Sequence, residues 1–152
     1  MFHHLNGLSV ASDLDFTEIH PLVIHFPIAL FSVGFLCDIL SCFFKKKGLE
    51  LAGRWNLVFG FISSVVSLIT GVVSDLHQTE RVLHPFPLHE NHAYLQIFVV
   101  CVFLSLMVWR TKNRQVLSLD SRPALIYLGV LGIAVGFLFY GSHLGAVLSG
   151  RI

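Results

Sequence analysis

Four long apolar stretches, separated by short polar connections, constrain the fold more than any other feature of the sequence. They cover approximately residues 20–44, 51–76, 92–109 and 123–149. About 20 apolar residues in a helix cross the roughly 30 Å hydrocarbon core of a bilayer. Each stretch is therefore predicted to form one transmembrane helix.

The composition of the chain points to the same class. Of its 152 residues, 55% are hydrophobic and 12% are charged, whereas about 25% of the residues in an average soluble domain are charged. A soluble domain of this size could not bury so much apolar surface, so we expect an integral membrane protein. The net charge of +1 gives no indication of a nucleic-acid partner.

The connections between the stretches are short, which makes consecutive helices antiparallel neighbours. We therefore expect an all-α, up-down bundle of four transmembrane helices that forms a single domain over residues 20–150. Residues 1–19 are a mixed polar tail. Because this tail lacks a basic segment followed by an apolar run and a small-residue cleavage site, we do not predict a removable signal peptide.

The basic residues predict how the bundle is oriented. Only Arg81 and Arg151 lie at the end of the bundle where the chain begins and ends, and the other eight lie at the opposite end: Lys45, Lys46, Lys47, Arg54, Arg110, Lys112, Arg114 and Arg122. By the positive-inside rule, this asymmetry places both termini outside the cytoplasm. In a bacterial inner membrane, both termini would be periplasmic.

All nine histidines fall at the end opposite to the basic cluster. They are His3, His4, His20, His25, His77, His84, His89, His92 and His143. Histidine is uncommon in membrane segments, where it serves as a ligand, a proton carrier or an interfacial polar group. The sequence therefore predicts that any chemistry takes place near the periplasmic face.

Helical spacing selects the residues that we expect to meet inside the bundle at this end. Gly129, Gly132, Gly136 and His143 share one face of the fourth helix, and Gly60, Ser64, Ser67, Gly71 and Ser74 share one face of the second. The four inward faces are expected to converge on five polar residues: His25, Asp75, His92, Gln96 and His143. A histidine-lined site is thus predicted, with Gly132 and Gly136 allowing a flat ligand to approach closely.

The same polar and small residues also have simpler interpretations than a binding site. His77, His84 and His89 are expected to be wet interfacial side chains, and His20 precedes a proline where it could cap a helix. Asp38 and Asp75 could each pair with a nearby base. The glycine and serine faces are also what ordinary helix packing requires. The three cysteines, Cys37, Cys42 and Cys101, are expected to be small packing residues.

Imidazoles on different membrane helices are typical of axial ligands to a b-type haem. We expect His25, His92 and His143 to be the ligands, with His20 in reserve and Asp75 orienting an imidazole or accepting a proton. The same imidazoles could instead hold copper or zinc together with Asp75. No compact metal-binding motif is present to decide between these possibilities.

The residues also resemble a known family. The first helix begins HPLVIHFPIAL, the second ends GVVSD, the third opens HENHAYLQIF and the fourth closes GSHLGAVLSG. Over about residues 18–150 the chain is similar to a bacterial family of predicted four-helix membrane proteins of unknown function, marked by an HPxxxHFPxAL start. Similar domains occur fused to c-type cytochrome modules, so the resemblance implies a redox association. It carries over His20, His25, Asp75, His92 and His143. The chain departs from the family pattern where Ala146 replaces a glycine and the tail reads VLSGRI.

Two functions are expected from these observations. The first is a b-type cytochrome-like subunit that passes electrons between a quinol pool or a partner complex and a periplasmic acceptor such as a c-type cytochrome. The second is a cofactor-free accessory subunit of a larger respiratory or photosynthetic complex. Both are favoured over a stand-alone enzyme. A proton or metal transporter is less favoured, because four helices without an internal repeat leave little room for alternating access.

Overall fold

The computed structural model of the chain describes residues 22–77, 92–113, 116–117 and 122–148. Within these ranges the chain forms four long helices, which are α1 (His25–Phe44), α2 (Lys47–His77), α3 (His92–Lys112) and α4 (Arg122–Leu148). Each is long and apolar enough to cross a membrane, and the described ranges contain no strand. The prediction of four transmembrane helices is thus confirmed. The predicted tail over residues 1–19 lies outside the described residues.

The helices form a ring in which each one packs against two others. α1 contacts α2 and α4, and α3 contacts the same two helices, so α1 lies diagonally opposite α3. Residues late in α1 meet residues early in α2, and α3 and α4 are related in the same way. The bundle is therefore up-down-up-down, as expected from the short connections. Below, the basic end is the end with Phe44, Lys47, Lys112 and Arg122, and the histidine end is the opposite one.

Buried residues recur at alternating spacings of three and four in every helix. The buried positions that follow this spacing are 27, 31, 34, 38 and 41 in α1, 53, 57, 60, 64 and 67 in α2, 99, 103, 106 and 110 in α3, and 124, 127, 131, 134, 138 and 141 in α4. Cys42, Val100 and Val135 lie next to these positions and are also buried. This heptad-like spacing is the pattern of helices that cross at about 20° with side chains interdigitated. It keeps a single narrow face of each helix in the core, so the remaining faces are left for lipid or for partners.

The connection between α1 and α2 is only two residues long. Lys45 adopts a left-handed conformation (φ 51°, ψ 33°) that ends α1. The backbone carbonyl of Lys46 then accepts hydrogen bonds from the amides of Leu49 and Glu50, which begin α2. We expected a longer connection, over residues 45–50. α2 instead starts at Lys47, because a polar turn can continue a helix beyond the apolar span.

Glycines bring α1 and α2 close together. A Cβ atom added to Gly53 would lie 3.2 Å from the carbonyl oxygen of Gly34, and one added to Gly60 would lie 3.0 Å from the ring of Phe31. Ser64, on the same face of α2, is buried and donates a hydrogen bond to the carbonyl of Gly60. The small residues of α2 thus serve helix packing here.

Two phenylalanines fill the centre of the bundle. The rings of Phe31 in α1 and Phe103 in α3 stack across the diagonal, with centroids 3.6 Å apart and planes inclined by 4°. Both are fully buried, and Leu57, Val99, Tyr127 and Leu131 are also part of this core. The stack occupies the space between the two diagonal helices.

The residues after α3 close the basic end. Val116 is buried in the core cluster, and its amide donates a hydrogen bond to the carbonyl of Asn113. The thiol of Cys42 lies 3.2 Å from the carbonyl oxygen of Leu117. Cys42 is buried, whereas Cys101 is exposed on α3. The three cysteines are free.

Candidate functional site

A buried charged cluster lies inside the bundle near its basic end. Nη1 of Arg110 donates a hydrogen bond to Oδ2 of Asp38 at 2.5 Å, and the hydroxyl of Tyr127 donates to the same oxygen at 3.0 Å. Asp38 and Tyr127 are 0% exposed and Arg110 is 6% exposed. We call Asp38, Arg110 and Tyr127 the buried triad.

All four helices contribute to this cluster. Asp38 comes from α1, Arg110 from α3 and Tyr127 from α4, while α2 provides the backbone carbonyl of Glu50, which accepts a hydrogen bond from Nη2 of Arg110 at 2.7 Å. The guanidinium carbon of Arg110 also lies 6.0 Å from the centroid of the Tyr127 ring, within reach of a cation–π contact. The guanidinium therefore links α3 to α1, although the backbones of these two helices do not pack against each other.

The second oxygen of the Asp38 carboxylate is held differently. Oδ1 is buried and makes no hydrogen bond to any residue in the described ranges. It lies directly against Gly53 of α2, where an added Cβ atom would collide with it. Gly53 thus leaves the space that this oxygen occupies, and weak Cα–H···O contacts are typical of such close approaches.

The buried triad fixes the positions of the four helices relative to one another. Removing two charges from water costs several kcal/mol per ion in practice, and their attraction offsets this only when the geometry is good and the other donors are satisfied. Here a short charge-assisted hydrogen bond, a tyrosine hydroxyl and a backbone carbonyl supply those partners. The arrangement tolerates little sliding of one helix past another, so it fixes the register of all four.

The sequence carries a signal for this cluster in the placement of two opposite charges. The sequence predicts that Asp38 pairs with a nearby base if it does not serve a site, whereas Arg110 contributes only to the predicted orientation. Both residues lie on the buried three-and-four spacing of their helices, with Phe31 and Gly34 in α1 and with Phe103 in α3. A charge of each sign on the buried faces of two helices, at the same end of the bundle, indicates a pair.

The structure places two of the predicted histidine ligands on the surface of the bundle. His25 and His143 are exposed. In α4 the bulky residues Tyr127, Leu131 and Leu138 face the core, so Gly129, Gly136 and His143, spaced by seven, fall on the opposite, exposed face. The glycine face of α4 was expected to point inward. Core packing selects the larger apolar side chains instead.

The other predicted residues of α3 and α4 have separate environments. Nε2 of Gln96 lies 3.3 Å from the hydroxyl of Ser142 and 3.5 Å from the carbonyl oxygen of Leu138, so Gln96 joins α3 to α4 at the histidine end. Gly132 faces the ring of Phe35, and Gly136 has open space where a Cβ would be. The structure therefore brings Gln96 against α4, but it does not gather Gly132, Gly136 and His143 around one interior site.

The structure does not describe the side chains of three predicted site residues. His20 lies outside the described residues. Asp75 and His92 lie within α2 and α3, but their side chains are outside the described part. Their roles as ligands or as an orienting group stay predictions.

Whether a haem or a metal ion fits depends on the space and the ligands that the bundle offers. In the described ranges, no group of three or more histidine, cysteine, aspartate or glutamate side chains is placed to hold a metal ion. The stack of Phe31 on Phe103 fills the middle of the bundle, so a porphyrin does not fit between the diagonal helices at that level. The exposed face of α4, with its open glycines beside His143, is the described surface that a flat group could approach.

These features define a class: an all-helical membrane protein in which a charged cluster closes a four-helix bundle. The chain belongs to the family described as predicted membrane protein (DUF2231), whose model matches residues 17–152. The family resemblance drawn from the sequence is thus confirmed. The comparisons with curated proteins and with solved structures gave no match.

Proposed function

We propose that this chain is an accessory subunit of a larger redox complex in a bacterial inner membrane, and that it binds a transmembrane helix of a partner protein through the outer face of α4. The observation that carries this proposal is the exposed line formed by Gly129, Gly136 and His143, with open space in front of both glycines. We call this line the α4 outer face.

Two properties of the α4 outer face support a helix as its partner. Small residues let the backbones of membrane helices approach closely, and a spacing of seven keeps them on one side of a left-handed helix pair. His143 lies within the apolar span of α4, where a polar side chain facing hydrocarbon is costly. A hydrogen-bond acceptor on a partner helix would remove that cost.

The redox character of the complex and the orientation of the chain rest on the sequence. The family resemblance implies an association with c-type cytochrome modules, and the concentration of basic residues at one end supports a cytoplasmic position for that end. In this orientation His143 lies near the periplasmic side, where a c-type cytochrome would be found.

Replacement of Gly136 by leucine tests the proposal. The added side chain would fill the open space on the α4 outer face without meeting the rest of the chain, so the isolated protein should fold normally. In the native membrane, extracted with a mild detergent, native mass spectrometry should find the wild-type chain in a complex with a distinct protein that contains a redox centre. That complex should be lost in Gly136→Leu.

Ala29→Leu provides a matched control, because Ala29 is exposed on α1 and the substitution adds a side chain of similar size on another surface. The control variant should retain the complex. A wild-type chain that occurs only as a monomer, or only with copies of itself, would contradict the proposal, as would a complex that Gly136→Leu leaves intact.

A second candidate is the haem-binding, cytochrome-like function, which is favoured by the exposure of His143 beside open glycines. In this case a b-type haem would lie on the outside of α4, between this chain and its partner, with His143 as a ligand and His25 and His92 as the other candidates. The haem would supply one-electron transfer. The residues of this chain would supply an imidazole nitrogen and a surface without side chains against which the ring can lie.

Absorption spectra of the complex, oxidised and then reduced with dithionite, separate the two candidates. A haem held by His143 predicts a Soret band in the wild type that His143→Ala removes and Tyr140→Phe, on the same face, retains. A complex whose haem content, measured as the pyridine haemochrome, is unchanged by His143→Ala excludes this candidate and leaves the accessory role.

A further inference from the structure

A groove of about 410 Å³ runs along the outer surface between α3 and α4. Its floor is formed by residues on one face of α3, from Phe98 to Trp109, and by Val130 of α4. The hydroxyl of Ser105 donates a hydrogen bond to the carbonyl of Cys101 at 2.8 Å, so this polar group is already satisfied within α3. The groove therefore presents an apolar surface.

The length of the groove matches one leaflet of a bilayer. Phe98 and Trp109 are eleven positions apart, which is roughly 16 Å along a helix. Half of the hydrocarbon core is about 15 Å. A single acyl chain that enters from the headgroup region at Trp109 would thus reach the bilayer midplane near Phe98.

Positive charge lies at the end of the groove where Trp109 is found. Lys112 ends α3 and Arg122 begins α4, and both are exposed. Arg110 is buried and forms a salt bridge with Asp38, so its charge is not available to bind a ligand at the surface. Tryptophan is typical of the interface between headgroups and hydrocarbon. The two helices that form the groove therefore also carry basic side chains at headgroup level.

We propose that this groove binds an anionic phospholipid, with one acyl chain along α3 from Trp109 to Phe98 and the phosphate headgroup between Lys112 and Arg122. Basic sites between transmembrane helices bind the headgroups of anionic lipids, and each Lys or Arg near the membrane surface strengthens the attraction. An apolar groove one leaflet long, formed by two helices that each carry a cation at the headgroup end, fits this lipid class better than a partner helix, which would require no charge at that end.

The charge requirement is tested with the full chain in nanodiscs that contain equal parts of phosphatidylcholine and phosphatidylglycerol. After release into the gas phase, native mass spectrometry should detect one retained phosphatidylglycerol. Lys112→Gln and Arg122→Gln should each weaken its retention roughly five-fold, the change expected for one surface charge. Lys46→Gln removes an exposed charge at the same end but away from the groove, and should leave retention within two-fold of the wild type, a much smaller change.

The groove requirement is tested by Ser105→Phe, which places a ring where the acyl chain would lie. This variant should lose the retained lipid, whereas Leu104→Phe, at an exposed neighbouring position outside the groove, should keep it. Equal retention of phosphatidylcholine would overturn the proposal. So would equal losses in Lys46→Gln and Lys112→Gln, or a bound molecule, such as a quinone, that responds to Ser105→Phe but not to either charge variant.

Discussion

Arg110 of α3 reaches Asp38 of α1 across the diagonal of the bundle, with Nη1 and Oδ2 separated by 2.5 Å. The backbones of these two helices do not pack against each other. The long arginine side chain, together with the stacked rings of Phe31 and Phe103, therefore connects two helices that are otherwise held in place only through α2 and α4.

The pair predicts a strong asymmetry between single and double substitutions. Arg110→Leu leaves a buried carboxylate without its counter-ion and should lower the free energy of unfolding by about 3–5 kcal/mol. Asp38→Leu combined with Arg110→Leu removes both charges and should recover most of that loss. Unfolding in mixed micelles with increasing sodium dodecyl sulfate measures both values. Arg54→Leu, an exposed charge at the same end, should change stability little, and a double variant less stable than Arg110→Leu would contradict the predicted coupling.

The hydroxyl of Tyr127 predicts a smaller effect. Tyr127→Phe keeps the ring in the core but removes the donor to Oδ2 of Asp38, and a hydrogen bond to a charged group contributes about 1.5–3 kcal/mol. We expect a loss in that range in the same micelle titration. Tyr140→Phe, at an exposed position of α4, is the control. If the two variants lose equal stability, the hydrogen bond to Asp38 does not contribute to folding.

Gly53 should not tolerate a side chain. Gly53→Ala would force its methyl group onto Oδ1 of Asp38 and towards the carbonyl of Gly34, and overpacking of this kind costs about 1–3 kcal/mol. Gly48→Ala in the same helix meets nothing within 4 Å and should stabilise α2 by up to about 1 kcal/mol. The thermal unfolding temperature in detergent should therefore fall in Gly53→Ala and rise in Gly48→Ala. An unfolding temperature that is unchanged or raised in Gly53→Ala would contradict the close packing of α1 on α2.

The stacked rings predict a packing defect when one is removed. Phe103→Ala opens a void against Phe31, and we expect a loss of about 3 kcal/mol, at the low end for buried phenylalanine because lipid weakens the hydrophobic contribution. Phe98→Ala, which removes a ring exposed on the same helix, is the comparison. Equal unfolding free energies for the two variants would place Phe103 outside a well-packed core.

The sequence was sufficient to predict the helices, because apolar length alone determines what can span a bilayer. α1 ends at Phe44 and α3 begins at His92, as expected, and the other observed boundaries lie within five residues of the predicted ones. The largest difference is at the start of α1, which is His25 and not residue 20. The earlier start of α2, at Lys47, depends on the left-handed conformation of Lys45, which the sequence does not signal, since glycine is the usual residue there.

The faces of the helices were harder to predict than their bounds. In α4, glycines and His143 were expected to face inward because small residues often mediate helix contacts. The alternating three-and-four spacing of Tyr127, Leu131 and Leu138 instead identifies the buried face. The same spacing, applied to Asp38 and Arg110, would have predicted the buried triad, since a polar residue on the core face needs a partner.

The two-residue link between α1 and α2 has a consequence for biogenesis. The first helical hairpin is complete before Arg110 is synthesised, and domains generally form from the N-terminus during translation. Until the second hairpin arrives, the Asp38 carboxylate lacks its Arg110 partner. The charge pair of the core thus forms only when both hairpins are in the membrane, and its formation marks the joining of the two halves of the chain.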